Sequence, residues 1–401
     1  MNEIEKHNLV IEKWNLLKNI VPDLNALLAP FLKHDCINLL FYMHLGDDFL
    51  RMSYVHDIER KYGSPVNVLI EKNKIFIAKL FGINNYTIID LKPIKTYLKK
   101  NFDNDVIFEY FFSHYIEHIV GNTPAIGKLS VLFCLNDICP NVEKKLGVHR
   151  FVVEFLADCW GVERRKIAVN KITYPKLSSL TIKKLQNIAP LDKIVLFLPE
   201  ARSDEIINIK VWNAIAKKIK SAGFIIIENV MRPDLHIDGA INLNLSVDEL
   251  IEVGCNCNSI FSIRSGLCDI FITKGKDLYV FWTPERYGEI GRLFGFKENF
   301  EADSYPREFI LSAKKKPKIM WNGIDLGEGL KKEWMPDYIP FSKKVTTFFK
   351  KYPIIGIKVN RAGEIKKKKF YFFFMPIITT RKSPEKLTQK FLGLTFYKSK
   401  R

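Results

Sequence analysis

No stretch of this 401-residue chain stays apolar for the roughly 18 to 20 residues that a membrane-crossing helix needs. Cysteine is sparse and irregular. Seven residues, an odd number, are scattered without metal-ligand spacing, and Cys255-Asn256-Cys257 is too tight for a usual zinc pair. Free thiols in a reducing cytoplasm are the expectation. The opening "MNEIEKHNLV" carries charge from the start, which excludes a secretory signal there. An Asp-x-Asp pair placed to hold Mg²⁺ is lacking as well, since "DIERKYGSP" and "DCW" offer only isolated acids. His114 and His118 stand four apart on an aromatic-rich helical stretch, but with no third ligand nearby they read as ordinary histidines.

Acidic residues are nearly absent from the end of the chain. Residues 351–401 hold 14 Lys and Arg against Glu364 and Glu385, a balance of +12 out of the whole chain's +18. The excess positive charge therefore belongs to a tail, and its partner must be anionic.

What is present is a repeated alternation of strand and helix. "CINLLFYM" (36–43), "VNVLI" (66–70) and "YTIID" (86–90) read as buried strands separated by helical stretches, and "FLRMSYVHDIERKYG" closes on Gly63 and Pro65. Residues 1–35 look helical, and the middle adds a strand at 128–135. The alternation restarts at "KIVLFLP" (193–199). An amphipathic helix over 211–223 with a glycine stop follows, then strands at 224–229, 259–263 and 277–282. Ser246 with Glu249 forms a capping-box pattern between them. The grammar predicts an α/β chain with two Rossmann-like domains of parallel sheet facing a cleft. The expected divisions are 1–190, 191–305 and a basic aromatic extension over 306–401.

Ligands of open α/β sheets bind where strands feed helices at their carboxyl ends. "SIFSIRSGLCDIF" (259–271) is such a junction. Gly266 permits close backbone approach, the amides of Gly266, Leu267 and Cys268 open a helix, Ser265 supplies a hydroxyl at the N-cap, and Arg264 a planar fork. Together they suit a diphosphate, although a plain helix cap and a surface arginine would also account for the turn. "LPEARS" (198–203) ends a neighbouring strand and puts Glu200, Arg202 and Ser203 within reach of a ribose or sugar hydroxyl, or simply in a solvated loop. In the first half, "HLGDD" (44–48) places His44, a tight turn at Gly46, and Asp47 and Asp48 at a strand end. Asp47 is the candidate general base and Asp48 a candidate helix cap, and both are candidate catalytic residues.

These motifs resemble the GT-B glycosyltransferases of bacterial capsule and lipopolysaccharide synthesis. The resemblance covers roughly residues 36–300. It is similar to the heptosyltransferase-like branch, whose first strand ends in Gly-Asp and whose donor loop reads Asp-Thr-Gly-Leu-Ala-His. Gly46, Asp47, Ser265, Gly266 and Leu267 align with that pattern, while Arg264 stands where the branch has Asp and Asp269 where it has His. "PEARS" with "RSGLCD" looks more like surface-glycan glycosyltransferases that carry an Arg-Ser-Gly-Leu-Cys-Asp signature. The resemblance implies inverting, metal-independent transfer from a nucleotide-sugar to a glycan or lipid-linked acceptor, with no cofactor. Asp47 would take the acceptor proton, and Arg264 and the 265–268 turn, with Asp269, would hold the donor. The tail, "KKKKFYFFFMPIITTRK" and "QKFLGLTFYKSKR", alternates basic and aromatic-apolar segments suited to an anionic membrane surface, or to a small β-hairpin module with charged edges. A peripheral position at the inner face of the cell membrane is expected, with nucleic acid disfavoured as a partner. The rival expectations are a sugar-nucleotide epimerase of the same fold, or a non-catalytic basic membrane- or nucleic-acid-binding protein.

Overall fold

The computed structural model describes residues 26–41, 45–101, 129–130, 152–201, 206–284, 294–314 and 317–336, a few single positions, and the strands between 355 and 400. The N-terminal helical stretch before residue 23, the helix expected around His114 and His118, and most of the strand expected at 128–135 lie outside the described residues. Two units partition the chain. One is Met1–Leu311 with Lys315–Met335, and the other Ser312–Lys314 with Pro336–Arg401.

In the first unit the chain runs β1 (Ile37–Phe41), α1 (Leu45–Met52), α2 (Val55–Tyr62), β2 (Val66–Ile70), α3 (Ile75–Leu80), β3 (Tyr86–Ile88), α4 (Lys92–Asn101) and β4 (Leu129–Ser130). The strands form a wholly parallel sheet in the order β3-β2-β1-β4. Every residue of β1 and β2 is buried, which is why both are apolar at every position but one. Their polar exceptions pair with each other: Asn67 Nδ2 donates to Asn38 Oδ1 at 2.8 Å, and Thr87 donates to Asn67 Oδ1 at 2.9 Å. The single helix expected after β1 is two helices. Ser53 Oγ turns back onto the Leu50 carbonyl, and the chain breaks at Ser53–Tyr54 before α2 begins.

The second series is α5 (Val152–Trp160), β5 (Ile167–Ala168), α6 (Ser179–Leu185), β6 (Ile194–Leu198), α7 (Ile209–Ser221), β7 (Ile225–Glu228), β8 (Ile241–Asn242), α8 (Val247–Asn256), β9 (Ser259–Ile263), α9 (Gly266–Ile270), β10 (Leu278–Trp282), α10 (Phe296–Asn299), β11 (Phe300–Glu301) and β12 (Arg307–Ile310). Its six-stranded parallel sheet has the order β12-β10-β9-β6-β7-β8. The chain starts at β6, builds outward to β8, then returns to the other side of β6 with β9. The order therefore reverses between β6 and β9, as in a doubly wound nucleotide-binding sheet. The predicted α/β class with two parallel sheets is thus present.

Alternation within the strands divides the core. Ile194, Leu196, Leu198, Ile260, Leu278, Val280 and Trp282 join β1 and β2 in one apolar cluster, so the two sheets share a core. Val195, Phe197, Phe261, Tyr279 and Phe281 face the other way and pack on Val211, Trp212, Ile215 and Ile219 of α7. The capping box forms with both arms made. After β10 the chain returns toward the first half. There β11 pairs with β5, and Asn299 accepts a hydrogen bond from the Val153 amide at 3.2 Å. A short hairpin of β13 (Met320–Trp321) and β14 (Ile324–Asp325) closes the unit, with Trp321 Nε1 donating to Ser259 Oγ at 3.0 Å.

The second unit is a five-stranded antiparallel meander: β15 (Ile355–Ala362), β16 (Ile365–Phe372), β17 (Met375–Ser383), β18 (Lys386–Phe391) and β19 (Leu394–Lys400). Among the described residues no helix is long and apolar enough to cross a membrane.

Candidate active site at two abutting strand ends

The reversal of strand order puts the carboxyl ends of β6 and β9 side by side, and these are the ends that carry "LPEARS" and "RSGLCD". Gly46, at the start of α1 beyond β1, meets them there. A methyl group placed on Gly266 would lie 2.4 Å from the Gly46 nitrogen and 2.7 Å from its Cα, and one placed on Gly46 would lie 2.6 Å from Gly266 Cα. The two short helices α1 and α9 thus abut backbone to backbone at their N-terminal ends, one from each sheet. Only glycine at both positions allows this approach. Each helix start brings amides without an intrahelical acceptor and a positive dipole end, so their meeting point favours negative charge.

The turn itself is built differently from the expectation. Arg264 does not reach out as a phosphate fork. The residue is 8% exposed, and its guanidinium lies between the Trp282 and Phe296 rings, 5.5 and 4.9 Å from their centroids. It donates to Asp269 Oδ1 at 2.7 Å, to Asp269 Oδ2 at 3.1 Å, to the Phe294 carbonyl at 3.2 Å and to the Ser265 carbonyl. Burial opposes the charged guanidinium, but its acidic neighbours, Asp269 foremost with Cys268 and Glu308, together outweigh it, so Arg264 is raised and stays charged. Burial likewise pushes the Asp269 carboxyl up, with Arg264 drawing it back. The pair is best described as ionised, because bidentate donors face both carboxylate oxygens.

Asp269, expected to contact the donor, is therefore a structural anion. Its Oδ2 also lies 3.1 Å from where a Gly46 methyl would stand, beside the first turn of α1. Ser265 stands at the N-cap without the expected side-chain cap. Its hydroxyl makes only a 3.9 Å contact with Cys268 Sγ, and the Cys268 amide is used by the Ser265 carbonyl at 3.0 Å. Ser265, Gly266 and Leu267 are partly exposed and form the lip of the junction, whereas Cys268 is buried and its thiol is pushed up by burial.

On the other side, Asp47 is partly exposed in the first turn of α1. Asp48 is wholly buried and holds Lys74 Nζ at 2.7 Å and Arg51 at 3.4 Å. It is neither a helix cap nor an accessible base but the anion of an internal ion cluster, because the helix turns it inward against the short turn Lys72–Lys74 that leads into α3. Glu200 uses Oε2 to accept the Met231 amide at 2.9 Å, tying the loop after β6 to the loop after β7. His44, Arg202 and Ser203 lie outside the described residues.

Several residues at this edge had no signal in the sequence. Lys74 counters Asp48 from an ordinary "KNK". Trp282 and Phe296 clamp Arg264 from positions 18 and 32 residues downstream of it. Tyr174 donates to the Ile270 carbonyl at 2.5 Å and secures the far end of α9. Glu228, buried at the end of β7, takes the His236 ring at 2.6 Å and the Ile237 amide at 2.9 Å. Among the described residues no cluster of His, Cys, Asp and Glu is arranged to hold a metal ion.

Comparison with solved structures returns sugar transferases. The chain is similar to a glycosyl transferase family 9 protein from Veillonella parvula (12% identity, 75% of this chain and 95% of that one, TM-score 0.46). It is also similar to the E. coli ADP-heptose lipopolysaccharide heptosyltransferase II (10%, 74% and 95%, TM-score 0.41), and to an E. coli heptosyltransferase solved with ADP (12%, 78% and 99%, TM-score 0.41). No family profile and no curated protein matches the chain.

Proposed function

We propose that this protein is a glycosyltransferase of GT-B type that moves a sugar from a nucleotide donor to a surface-glycan acceptor. The observation that supports it is the abutment of Gly46 and Gly266 at the point where strand order reverses. It sets an acid-bearing helix start opposite an anion-favouring one.

In this reading the donor diphosphate rests on the Ser265 hydroxyl and the Gly266 and Leu267 amides. The acceptor hydroxyl attacks the anomeric carbon, the bond from that carbon to the diphosphate oxygen breaks, and Asp47 takes the hydroxyl proton. The nucleoside diphosphate leaves with its negative charge spread over the helix-start donors. A preorganised donor of this kind lowers such a barrier by about 3–4 kcal/mol. The displacement inverts the anomeric carbon and proceeds without a metal. Arg264 and Asp269 act as positioning residues. Their pair fixes the turn from inside, and its carboxylate faces the start of α1, so the register between the two glycines is held by a buried ion pair. The acceptor is a capsule or lipopolysaccharide glycan, or its lipid-linked precursor, met at the inner membrane face through the basic C-terminal sheet.

Thermal-shift screening with UDP, GDP, CMP and ADP tests the reading. One nucleotide should raise the unfolding temperature of the wild type, by about 2.7 kcal/mol of linkage at a hundredfold excess over Kd. The shift should shrink in Ser265→Ala and persist in Asp47→Asn. No response to any nucleotide would remove the donor site.

A further inference from the structure

The C-terminal sheet is sorted along its strands, from one end to the other. One register row crosses all five strands as Ile357–Phe370–Ile378–Phe391–Leu394, without a charge. The next row is Lys358–Lys369–Thr379–Lys390–Thr395. Two rows further on stands Asn360–Lys367–Arg381–Thr388–Lys398, and then Arg361–Lys366–Lys382–Leu387–Ser399. On the far side of the apolar row the strands end in Ile355, Phe372 and Met375. The five strands hold twelve Lys and Arg and no Asp or Glu.

In register, basic positions fall opposite basic positions. Lys358 pairs with Lys369, Arg361 with Lys366, Lys366 with Lys382, Lys367 with Arg381 and Lys386 with Lys400. Like charges directly across a ladder destabilise it, and an external anion that meets basic positions at one end and apolar ones at the other would relieve this.

We infer that the sheet docks end-on into an anionic lipid bilayer, with the Ile357–Leu394 row at the acyl boundary, the Lys358 row among the headgroups and the outer cation rows just above them. At about 3.4 Å per residue, the Lys358 row sits about 3 Å from the apolar row, inside a polar layer about 5–8 Å deep. The Lys367 row, about 10 Å away, lies at the aqueous edge of that layer, where the surface potential of anionic lipids still acts. A nucleic acid would ask for cations along the whole strand length and leave the uncharged end uncovered. The inference deepens the membrane-facing part of the reading above and does not depend on sugar transfer.

The test uses the full chain with Phe391→Trp or Leu387→Trp. These positions lie four apart on β18, on one face and toward opposite ends. All six native tryptophans precede residue 335 and give both variants the same background. Vesicles of phosphatidylcholine, with or without 30% phosphatidylglycerol and with brominated acyl chains, report depth by quenching. The expected result is binding to the anionic vesicles only, with the Phe391→Trp signal quenched and the Leu387→Trp signal not.

Equal quenching at both sites would mean docking on a face and would overturn the inference, as would equal binding to neutral vesicles. Retention on polyuridylate without vesicle binding would also overturn it. If either tryptophan variant fails to fold, Lys367→Gln with Arg381→Gln keeps the question open to refutation. Vesicle partitioning should fall about thirty-fold, from about 1 kcal/mol per cation, and an unchanged value would overturn the inference. The nucleotide thermal shift, run on the same samples, separates failure of docking from failure of the donor site.

Discussion

Gly266→Ala is the perturbation that probes the junction most sharply. The added methyl would sit 2.4 Å from the Gly46 nitrogen, where ordinary contact begins at 3.4 Å, so the two helix starts must separate by about 1 Å. The atoms on both sides are backbone, and no side chain can swing away. Overpacking of this kind costs about 1–3 kcal/mol of stability, while a displacement of about 1 Å at a reacting site costs on the order of a hundredfold in rate. Gly254→Ala is the matched control. Its methyl would lie 2.3 Å from the Phe271 ring, an equal clash inside the shared core. Thermal unfolding and nucleotide affinity, measured on both variants, should diverge: similar losses of stability, with affinity falling at least tenfold only in Gly266→Ala. Wild-type affinity in a folded Gly266→Ala would refute the claim that the abutment builds the donor site.

The two adjacent acids should separate by readout. Asp47→Asn should lower turnover by about 10²–10⁴-fold with little change in unfolding temperature, as for loss of a general base. Asp48→Asn should lower the unfolding temperature instead, since it strips the buried partner of Lys74. Arg264→Ala leaves the Asp269 carboxylate buried without its cation and should cost about 3–5 kcal/mol in denaturant unfolding. For Glu249, burial pushes the carboxyl up, but the Lys184 ammonium and the Ser246 contacts outweigh it and hold it below its ordinary 4.5. Its contribution is therefore complete above about pH 4.5 and disappears as the pH falls through the depressed range. Glu249→Gln should flatten that limb of the stability–pH curve, measured by denaturant midpoint.

The buried strands were legible because a parallel sheet covered on both faces must be apolar throughout. "VNVLI" and "SIFSI" coincide with β2 and β9, residue for residue. Helix α8 was legible from its capping box, a local signal that needs no tertiary context. The reversal of strand order, which singles out the β6 and β9 loops, is a property of pairing between distant segments and leaves no mark in either loop. Arg264 illustrates the limit best. Its sequence neighbours invite a surface role, but the rings that enclose it and the carbonyl of Phe294 arrive from 18 to 32 residues downstream. Asp48 was misread for a related reason. A strand-end carboxylate looks available until Lys74, 26 residues away, is placed against it. β12 went unnoticed because an edge strand, alternately exposed as in "REFI", carries a weak apolar signal. In the tail, the basic and aromatic segments were visible, but their sorting into rows required the register.

Amide hydrogen exchange across residues 45–52 and 265–270, with and without the nucleoside diphosphate that stabilises the protein, tests the central claim most directly. Both stretches are expected to gain protection together on binding, because the diphosphate rests on the start of α9 and the start of α1 is packed against it backbone to backbone at Gly46 and Gly266. Protection confined to one of them, or appearing only elsewhere in the chain, would contradict it.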